Sequence, residues 1–191
     1  VYVNGSFVDE DKAKVSVFDR GFLFADAVYE VTAVIDGKIL EWDGHVKRLE
    51  RSLKELDMKF PISETELLDI HFDLIKKNTL KEGLIYLQVT RGEDDRSFDY
   101  PDESVKPTLV LFTQVKSLAE SNIAKTGLKV ISVPDMRWGR RDIKTVQLLA
   151  PSMCKMMAKK KNKDDAWMIQ DGFITEGTSN NAYIITKDNI L

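Results

Sequence analysis

Residues 28–42 read VYEVTAVIDGKILEW, and the residues that follow, 43–56, read DGHVKRLERSLKEL. The first stretch is rich in β-branched and aromatic residues around Asp36-Gly37, a dipeptide that tolerates the positive φ angles of a two-residue turn, and it predicts a β-hairpin. The second stretch has apolar residues at spacings of three and four, which predicts an amphipathic helix with the buried stripe Val46, Leu49, Leu53 and Leu56.

The residues on either side extend this pattern into one α+β unit. Residues 1–8 alternate apolar and polar around Asn4-Gly5 and predict another hairpin. Ser63 and Glu66 have the spacing of a capping box and predict the start of a helix that runs to about Leu80. Strands are predicted at residues 84–90 and 108–115, and the polar stretch 116–125 has the composition of a linker.

A second unit is predicted after this linker. Its expected elements are a strand at 128–133, a loop at 134–142, a helix from about Thr145, a strand at 166–170, an Asp171-Gly172 turn and a strand at 182–186. Pro151 lies inside the predicted helix and is expected to kink or delay it. The predicted domains are therefore residues 1–118 and 119–191, and the second is expected to be incomplete because the sequence stops where a turn leads toward another strand.

The composition excludes several classes of function. Lys and Arg number 28 against 31 Asp and Glu, and the resulting formal charge of −3 argues against nucleic acid as a main partner. Cys154 is the only cysteine, so an intrachain disulfide and a cysteine-based zinc cluster are excluded and a reducing, cytoplasmic location is favoured. No apolar stretch approaches the roughly 18 residues of a membrane span, and no membrane partner is expected.

Taken alone, the residues contain no strong catalytic signature. His45 and His71 lie on predicted helices without a third ligand at suitable spacing, so no metal site is predicted. Lys144 stands beside the apolar Ile143, and an amine that is buried near other cations becomes a nucleophile toward carbonyl groups. A lysine in a basic loop is more often solvated, and the residues by themselves favour that second interpretation.

Five blocks of sequence, in this order, resemble those of the fold-type IV pyridoxal-phosphate enzymes, the class IV aminotransferases. The blocks are DRGFLFADAVYE at 19–30, GHVKRL at 44–49, QVTRG at 88–92, DIKT at 142–145 and TEGTSNN at 175–181. Within the family they look most like the blocks of D-amino acid transaminases. The resemblance spans nearly the whole chain and implies a two-domain α+β fold with pyridoxal 5'-phosphate as cofactor.

The resemblance also implies a role for each matching residue. Lys144 would form the Schiff base with the cofactor aldehyde and afterwards move the proton between the substrate Cα and the cofactor. Glu176 would pair with the pyridine nitrogen and keep it protonated. Arg48 would bind the cofactor phosphate, for which a guanidinium fork is well suited, and the backbone around Ser179 and Asn180 would face the cofactor as well.

The residues that would contact the substrate match the family less completely. Tyr29 is expected on the inward face of its strand, near the substrate. D-amino acid transaminases carry an Arg-x-His pair that reaches across the dimer to bind the substrate carboxylate, and here Arg96 matches whereas Phe98 replaces the histidine. The positive charge of the clamp is retained but one donor is lost, and Phe98 would equally suit an apolar pocket for a branched-chain substrate.

The resemblance implies a homodimeric transaminase that moves an amino group between an amino acid, with D-alanine favoured, and a 2-oxo acid. Three alternatives remain open on the sequence: a branched-chain L-amino acid aminotransferase, a lyase of the aminodeoxychorismate type that releases pyruvate, and a homologue that binds the cofactor without turnover.

Overall fold

The structure is a computed structural model that describes residues 1–120 and 122–190, without the side chains of residues 122 and 124. Its contacts divide the chain into two compact units. The first consists of residues 1–120 together with Arg141–Val146, and the second of the described residues in the ranges 122–140 and 147–190. The segment Arg141–Val146 therefore packs with the first unit, although it lies within the predicted domain 119–191, and the predicted domains themselves stay a prediction.

The first unit is built on a six-stranded antiparallel sheet in the order β2-β1-β6-β5-β3-β4. Its strands are β1 (Tyr2–Val3), β2 (Ser6–Phe7), β3 (Ala27–Ile35), β4 (Lys38–Ile39), β5 (Gly83–Thr90) and β6 (Thr108–Val115). Both predicted hairpins are confirmed, since Asn4-Gly5 and Asp36-Gly37 have the positive φ angles of their turns. The return strand β4 is shorter than the predicted one, because the next helix already begins at Trp42.

Three helices accompany this sheet: α1 (Arg20–Phe24), α2 (Trp42–Glu55) and α3 (Glu64–Lys77). The predicted capping box is confirmed, because the Ser63 hydroxyl accepts from the Glu66 amide and the Glu66 carboxylate accepts from the Ser63 amide. The stripe on α2 is buried at Val46, Leu49 and Leu53. Leu49 and Leu53 join residues of α3, β3 and β5 in one hydrophobic core.

Strand β3 presents two different faces because its side chains alternate. Every second residue is fully buried, namely Val28, Glu30, Thr32 and Val34. Val28 and Val34 belong to the hydrophobic core beside α2, so this is the helix-covered face. The residues between them, among them Tyr29, are only half-buried and lie on the opposite face of the sheet.

The second unit contains a three-stranded sheet in the order β7-β8-β9. Strand β7 (Val130–Pro134) runs parallel to β8 (Asp165–Gln170), and β8 is antiparallel to β9 (Phe173–Gly177). Two helices accompany the strands, α4 (Asn122–Thr126) and α5 (Leu149–Lys160). The core of this unit is small and consists of Val133, Cys154, Ala158, Ala166 and Met168. Burial raises the pKa of the Cys154 thiol.

Two predicted elements of the second unit are wrong. Helix α5 begins at Leu149 rather than near Thr145, because residues 144–146 pair with the start of β3. Pro151 consequently lies in the first helical turn, where its missing amide removes no helical hydrogen bond. The strand predicted at 182–186 is not formed, and β9 follows the Asp171-Gly172 turn at once. The predicted linker 116–125 also contains most of α4.

Among the residues that the structure describes, no helix combines the length and the apolar character that crossing a membrane requires.

Candidate active site

Lys144 lies on a short extended segment at the edge of the first unit's sheet. The Tyr29 amide donates to the Lys144 carbonyl at 3.0 Å, and the Val146 amide donates to the Ala27 carbonyl at 3.2 Å. The segment thus adds a few residues of antiparallel pairing to the start of β3, centred on Val28 and Thr145. Ile143 and Thr145 are buried, whereas Lys144 between them is half-exposed.

The amine of Lys144 contacts Tyr29. Its Nζ atom donates to the Tyr29 hydroxyl at 3.3 Å and lies 4.4 Å from the centre of the Tyr29 ring. The Tyr29 ring stacks in turn on Tyr86, with 5.6 Å between ring centres. The Tyr86 hydroxyl donates to Gln88 at 2.8 Å, and burial, followed by the neighbouring Tyr29, raises the pKa of Tyr86 to about 12. Two of the predicted site residues, Lys144 and Tyr29, are therefore adjacent.

Arg48 is oriented by a buried carboxylate on the helix-covered face of β3. Its Nε and Nη2 atoms donate to the two oxygens of Glu30 at 2.6 Å each, and His45 Nδ1 lies 2.7 Å from Glu30 Oε2. Burial alone would raise the pKa of Glu30, but the hydrogen bonds from Arg48 and His45 outweigh it and hold the pKa below its ordinary value. Glu30 is thus an anion, and it holds the Arg48 guanidinium and the His45 ring at the start of α2.

Glu176 lies on β9 in the second unit and is bound by an arginine. Arg137 donates from Nη1 to Glu176 and from Nη2 to Asp135 at 2.9 Å. Thr175 also donates to Asp135, at 2.7 Å. The hydrogen bond from Arg137 is the main reason that the pKa of Asp135 lies well below its ordinary value. Arg137 therefore joins two carboxylates and keeps Glu176 in place on its strand.

The turn that follows Glu176 is organised by Asp165. This carboxylate is 4% exposed and accepts hydrogen bonds from Thr178 and, at 2.8 Å, from Asn180 Nδ2. Burial would raise the pKa of Asp165, but hydrogen bonds from Thr178, from the Ala166 amide and from Lys155 lower it overall. The side chain of Asn180 is engaged in this way, while Ser179 is exposed. A Cβ atom on Gly177 would collide with the Asn180 side-chain amide, so a larger residue there would displace that amide from Asp165.

Arg96 and Phe98 lie together on the loop between β5 and β6. The Arg96 guanidinium is 5.7 Å from the Phe98 ring and 5.5 Å from the Phe24 ring. Phe24 and Phe98 contact each other edge to face, with 5.6 Å between ring centres. Phe98 is 82% exposed, so it presents an apolar surface beside a cation.

Sequence reasoning missed three residues that position the predicted ones: Glu30, Arg137 and Asp165. Glu30 could have been found from the sequence. It lies on the same face of β3 as Val28 and Val34, and a carboxylate on a buried face requires a cationic partner. Arg137 and Asp165 could not have been found in this way. Glu176 lies 39 residues from Arg137, and Thr178 and Asn180 lie 13 and 15 residues from Asp165, so these contacts form only in the folded chain.

The family described as amino-transferase class IV matches residues 27–191. The chain belongs to this family. A D-alanine aminotransferase of Staphylococcus haemolyticus is 36% identical over all 191 residues, which cover 67% of that protein. The resemblance seen in the five sequence blocks is thereby confirmed, and pyridoxal phosphate is the cofactor of the family.

Solved structures of class IV proteins share the fold. A branched-chain amino acid aminotransferase from Escherichia coli superposes with a TM-score of 0.77 at 20% identity, over 92% of this chain and 60% of that one. A 4-amino-4-deoxychorismate lyase from Pseudomonas aeruginosa gives a TM-score of 0.74 at 22% identity, over 93% and 64%. The α+β fold-type IV prediction is confirmed, and the chain spans about two thirds of the length of its curated relatives.

The residues of each unit fit the chemistry of the family's cofactor. The first unit offers a half-buried amine for an aldehyde, and a guanidinium next to an imidazole for a phosphate dianion. The second offers a carboxylate, Glu176, for a protonated ring nitrogen. The structure brings Lys144 together with Tyr29, and Arg96 with Phe98. Lys144 and Glu176 belong to different units, so their shared site is a proposal.

Proposed function

We propose that the protein is a pyridoxal-phosphate-dependent aminotransferase that moves an amino group between a D-amino acid such as D-alanine and a 2-oxo acid. The observation that carries this proposal is the amine of Lys144, which lies half-buried at the edge of the sheet and 3.3 Å from the Tyr29 hydroxyl. The identity of 36% to a D-alanine aminotransferase supports the choice of substrate.

The proposed chemistry depends on one mobile proton. Pyridoxal phosphate supplies, when bound, an aldehyde that combines with amines and a ring that withdraws electrons from the substrate Cα. Lys144 would take a proton at its Nζ atom and return it, and the contact of its side chain with Tyr29 and the hydrogen bonds of its backbone to β3 support this role. The ring of Tyr29 covers one side of the amine and limits its hydration.

Arg48 and Glu176 would hold the two charged ends of the cofactor. Glu30 orients the Arg48 guanidinium, which remains 45% exposed and accessible to a phosphate. Arg137 fixes Glu176 on β9, where a carboxylate would keep a ring nitrogen protonated. The exposed Ser179 and the backbone of the Thr178–Asn180 turn, shaped by Asp165, would complete the cofactor contacts.

Arg96 and Phe98 would contact the substrate. The Arg96 guanidinium suits a carboxylate, and the exposed Phe98 beside it offers apolar area rather than a second donor. The corresponding loop of D-amino acid transaminases reaches across the dimer, and we propose that this loop likewise serves the site of a neighbouring subunit in a homodimer. We also propose a cytoplasmic location, because the single cysteine is a free, buried thiol and free thiols are typical of proteins in reducing compartments.

Mapping the cofactor tests the mechanism directly. The natural protein loaded with pyridoxal phosphate is reduced with borohydride and digested, and the peptide that carries the cofactor is identified by mass spectrometry. We expect the label on Lys144, none in Lys144→Arg, and unchanged labelling in Lys81→Arg, which alters an exposed lysine. A label on another lysine of the natural protein would contradict the mechanism.

A substrate panel separates the activities that remain. D-alanine, L-alanine and L-leucine are each supplied with 2-oxoglutarate, and oxo-acid formation is followed. Faster turnover of D-alanine supports the proposal, and faster turnover of L-leucine would assign the branched-chain activity instead. Pyruvate release from aminodeoxychorismate without an amino acceptor would assign the lyase.

A further inference from the structure

We propose that Arg20 is a positioning residue, which fixes the backbone on both sides of Phe98 so that Arg96 and Phe98 project from a preformed loop. Residues 93–100 form the recognition loop. The inference rests on the proposed function in one respect, namely that Arg96 binds the substrate carboxylate. The anchoring itself is a property of the first unit alone.

Arg20 and Arg91 form a buried cluster around the carboxylate of Asp26. Asp26 accepts from Arg20 Nε at 2.9 Å and from Arg91 Nε at 2.7 Å, and the two guanidinium side chains are only 4% and 9% exposed. The two buried guanidinium groups therefore share one carboxylate oxygen of Asp26. A buried charge is stable only when further acceptors solvate it, and here backbone carbonyls provide them.

The two arginines donate to backbone carbonyls in different parts of the chain. Arg20 Nη1 donates to the carbonyls of Ser97 at 2.8 Å and Asp99 at 3.2 Å, the two residues that flank Phe98. Arg91 Nη2 donates instead to the Leu56 carbonyl at 2.7 Å, at the end of α2. Arg20 thus binds the recognition loop from both sides of Phe98.

Arg20 is itself held firmly. Its amide donates to the Gly92 carbonyl at 2.9 Å, where β5 ends. The neighbouring Asp19 carboxylate accepts from the Gly21 amide and from the Thr90 hydroxyl, each at 2.8 Å. Helix α1 is therefore fixed to the end of β5, and the Arg20 side chain fixes the recognition loop to α1 by its hydrogen bonds.

Aromatic contacts complete the attachment. The Arg20 guanidinium lies 4.5 Å from the Phe24 ring, and that of Arg91 lies 3.6 Å from the Tyr100 ring. Phe24 contacts Phe98 and Arg96. Phe98 is nevertheless 82% exposed, so the loop is built to display this ring rather than to bury it. An exposed aromatic ring on an anchored backbone is typical of a surface that binds a ligand or a partner.

Arg20→Lys is the sharpest variant. Lysine keeps the charge opposite Asp26, but its single ammonium replaces a planar fork and cannot reach Asp26 and both carbonyls in the same geometry. Hydrogen–deuterium exchange of residues 97–100 is measured in the natural protein loaded with pyridoxal phosphate, without substrate. We expect exchange about tenfold faster or more, which corresponds to the loss of one charge-assisted hydrogen bond.

Kinetics distinguish positioning from a general structural role. The KM for the amino donor is expected to rise about tenfold in Arg20→Lys, while kcat and the absorbance of the Lys144-bound cofactor change little. Arg96→Met, which removes the proposed carboxylate ligand directly, is expected to raise the KM at least as much with loop exchange unchanged. If Arg96→Met leaves the KM unaltered, the carboxylate role is wrong, and the exchange data still decide the role of Arg20.

Two further variants keep the test decisive. Lys59→Met removes an exposed ion pair with Glu103 on the same β5–β6 connection, and we expect no effect on residues 97–100. Tyr100→Leu alters a surface residue that folding should tolerate, removes the aromatic cover of Arg91 and Arg20, and is expected to accelerate exchange at 97–100. Unchanged exchange in a folded Arg20→Lys protein, or in Tyr100→Leu if Arg20→Lys does not fold, would overturn the inference.

Discussion

Lys144 and Tyr29 form the contact on which the proposed chemistry depends most. Removing the phenol oxygen in Tyr29→Phe leaves the stacking on Tyr86 intact but deprives the Lys144 amine of its acceptor at 3.3 Å. A hydrogen bond to a charged group contributes about 1.5–3 kcal/mol, so we expect kcat/KM to fall about 10- to 100-fold. Thermal unfolding should change little, since the ring stays in place.

Tyr86→Phe is the matched control for this variant. It removes a hydroxyl from the same face of the sheet, one that donates to Gln88 rather than contacting Lys144. Its kcat/KM should stay within about threefold of the natural protein. Equal losses in the two variants would show that the tyrosine hydroxyls act through the sheet and not through Lys144.

The residues of the candidate site were easier to predict from the sequence than the contacts that they make. The basic and acidic residues of the blocks were identified from the sequence by resemblance. Their partners were not, because a pairing such as Arg137 with Glu176 depends on strands that meet only in the folded chain. Glu30 is the exception, since its position among Val28, Thr32 and Val34 already marked it as a buried charge.

Helix α3 makes the stability of the first unit dependent on pH through His71. This histidine is 1% exposed, donates from Nδ1 to the Leu67 carbonyl at 2.7 Å, and contacts Trp42 edge to face. Burial lowers its pKa to about 4 from the ordinary 6.5. Below pH 6.5 His71 is protonated in the unfolded chain but stays neutral in the folded chain down to about pH 4. The free energy of unfolding that is present above pH 6.5 is therefore progressively lost down to about pH 4.

The loss amounts to about 1.4 kcal/mol per pH unit, or about 3 kcal/mol in total. Chemical denaturation at pH 7, 6, 5 and 4 measures it, with His71→Gln as the comparison. Carboxylates such as Glu30 contribute to acid sensitivity in both proteins, so only the difference between the two curves reports His71. Parallel curves would contradict a buried, neutral His71.

The elements that local chemistry specifies were predicted well. The two hairpins follow from Asn4-Gly5 and Asp36-Gly37, and the start of α3 follows from Ser63 and Glu66. The start of α5 was not predictable in the same way. Residues 145–148 have an apolar pattern that suits a helix, but Thr145 and Val146 pair with the start of β3 and the helix begins only at Leu149.

The chain leaves the first unit after residue 120 and returns to it for only six residues, Arg141–Val146. This return places Lys144, and two backbone hydrogen bonds to β3 set its register. Val146→Pro removes the amide that donates to Ala27 and should loosen the segment. We expect faster exchange of the Tyr29 amide and a smaller fraction of cofactor bound to Lys144.

Val146→Thr serves as the control, because it keeps both the amide and a β-branched side chain. It should match the natural protein in exchange and in cofactor content, which absorbance and borohydride labelling measure. If the proline variant also retains full cofactor content, the register of this segment does not determine the position of Lys144.

The sequence by itself indicated two domains and an α+β class, and the resemblance indicated the family. Neither indicated that residues 141–146 would join the sheet of the first unit, because a boundary drawn from composition is continuous along the chain whereas packing is not. The same limit explains β9. The pattern of 182–186 resembles a strand, but a two-residue turn at Asp171-Gly172 returns the chain earlier, and Phe173 already pairs with Gln170.

Cys154 offers an experimental convenience. It is the only thiol of the chain, it is fully buried in the core of the second unit, and its raised pKa leaves little reactive thiolate. A cysteine introduced by mutagenesis at an exposed position would therefore be alkylated almost alone. Ser97→Cys would let a single fluorophore follow the motion of residues 93–100 in solution, with no need to remove the native cysteine first.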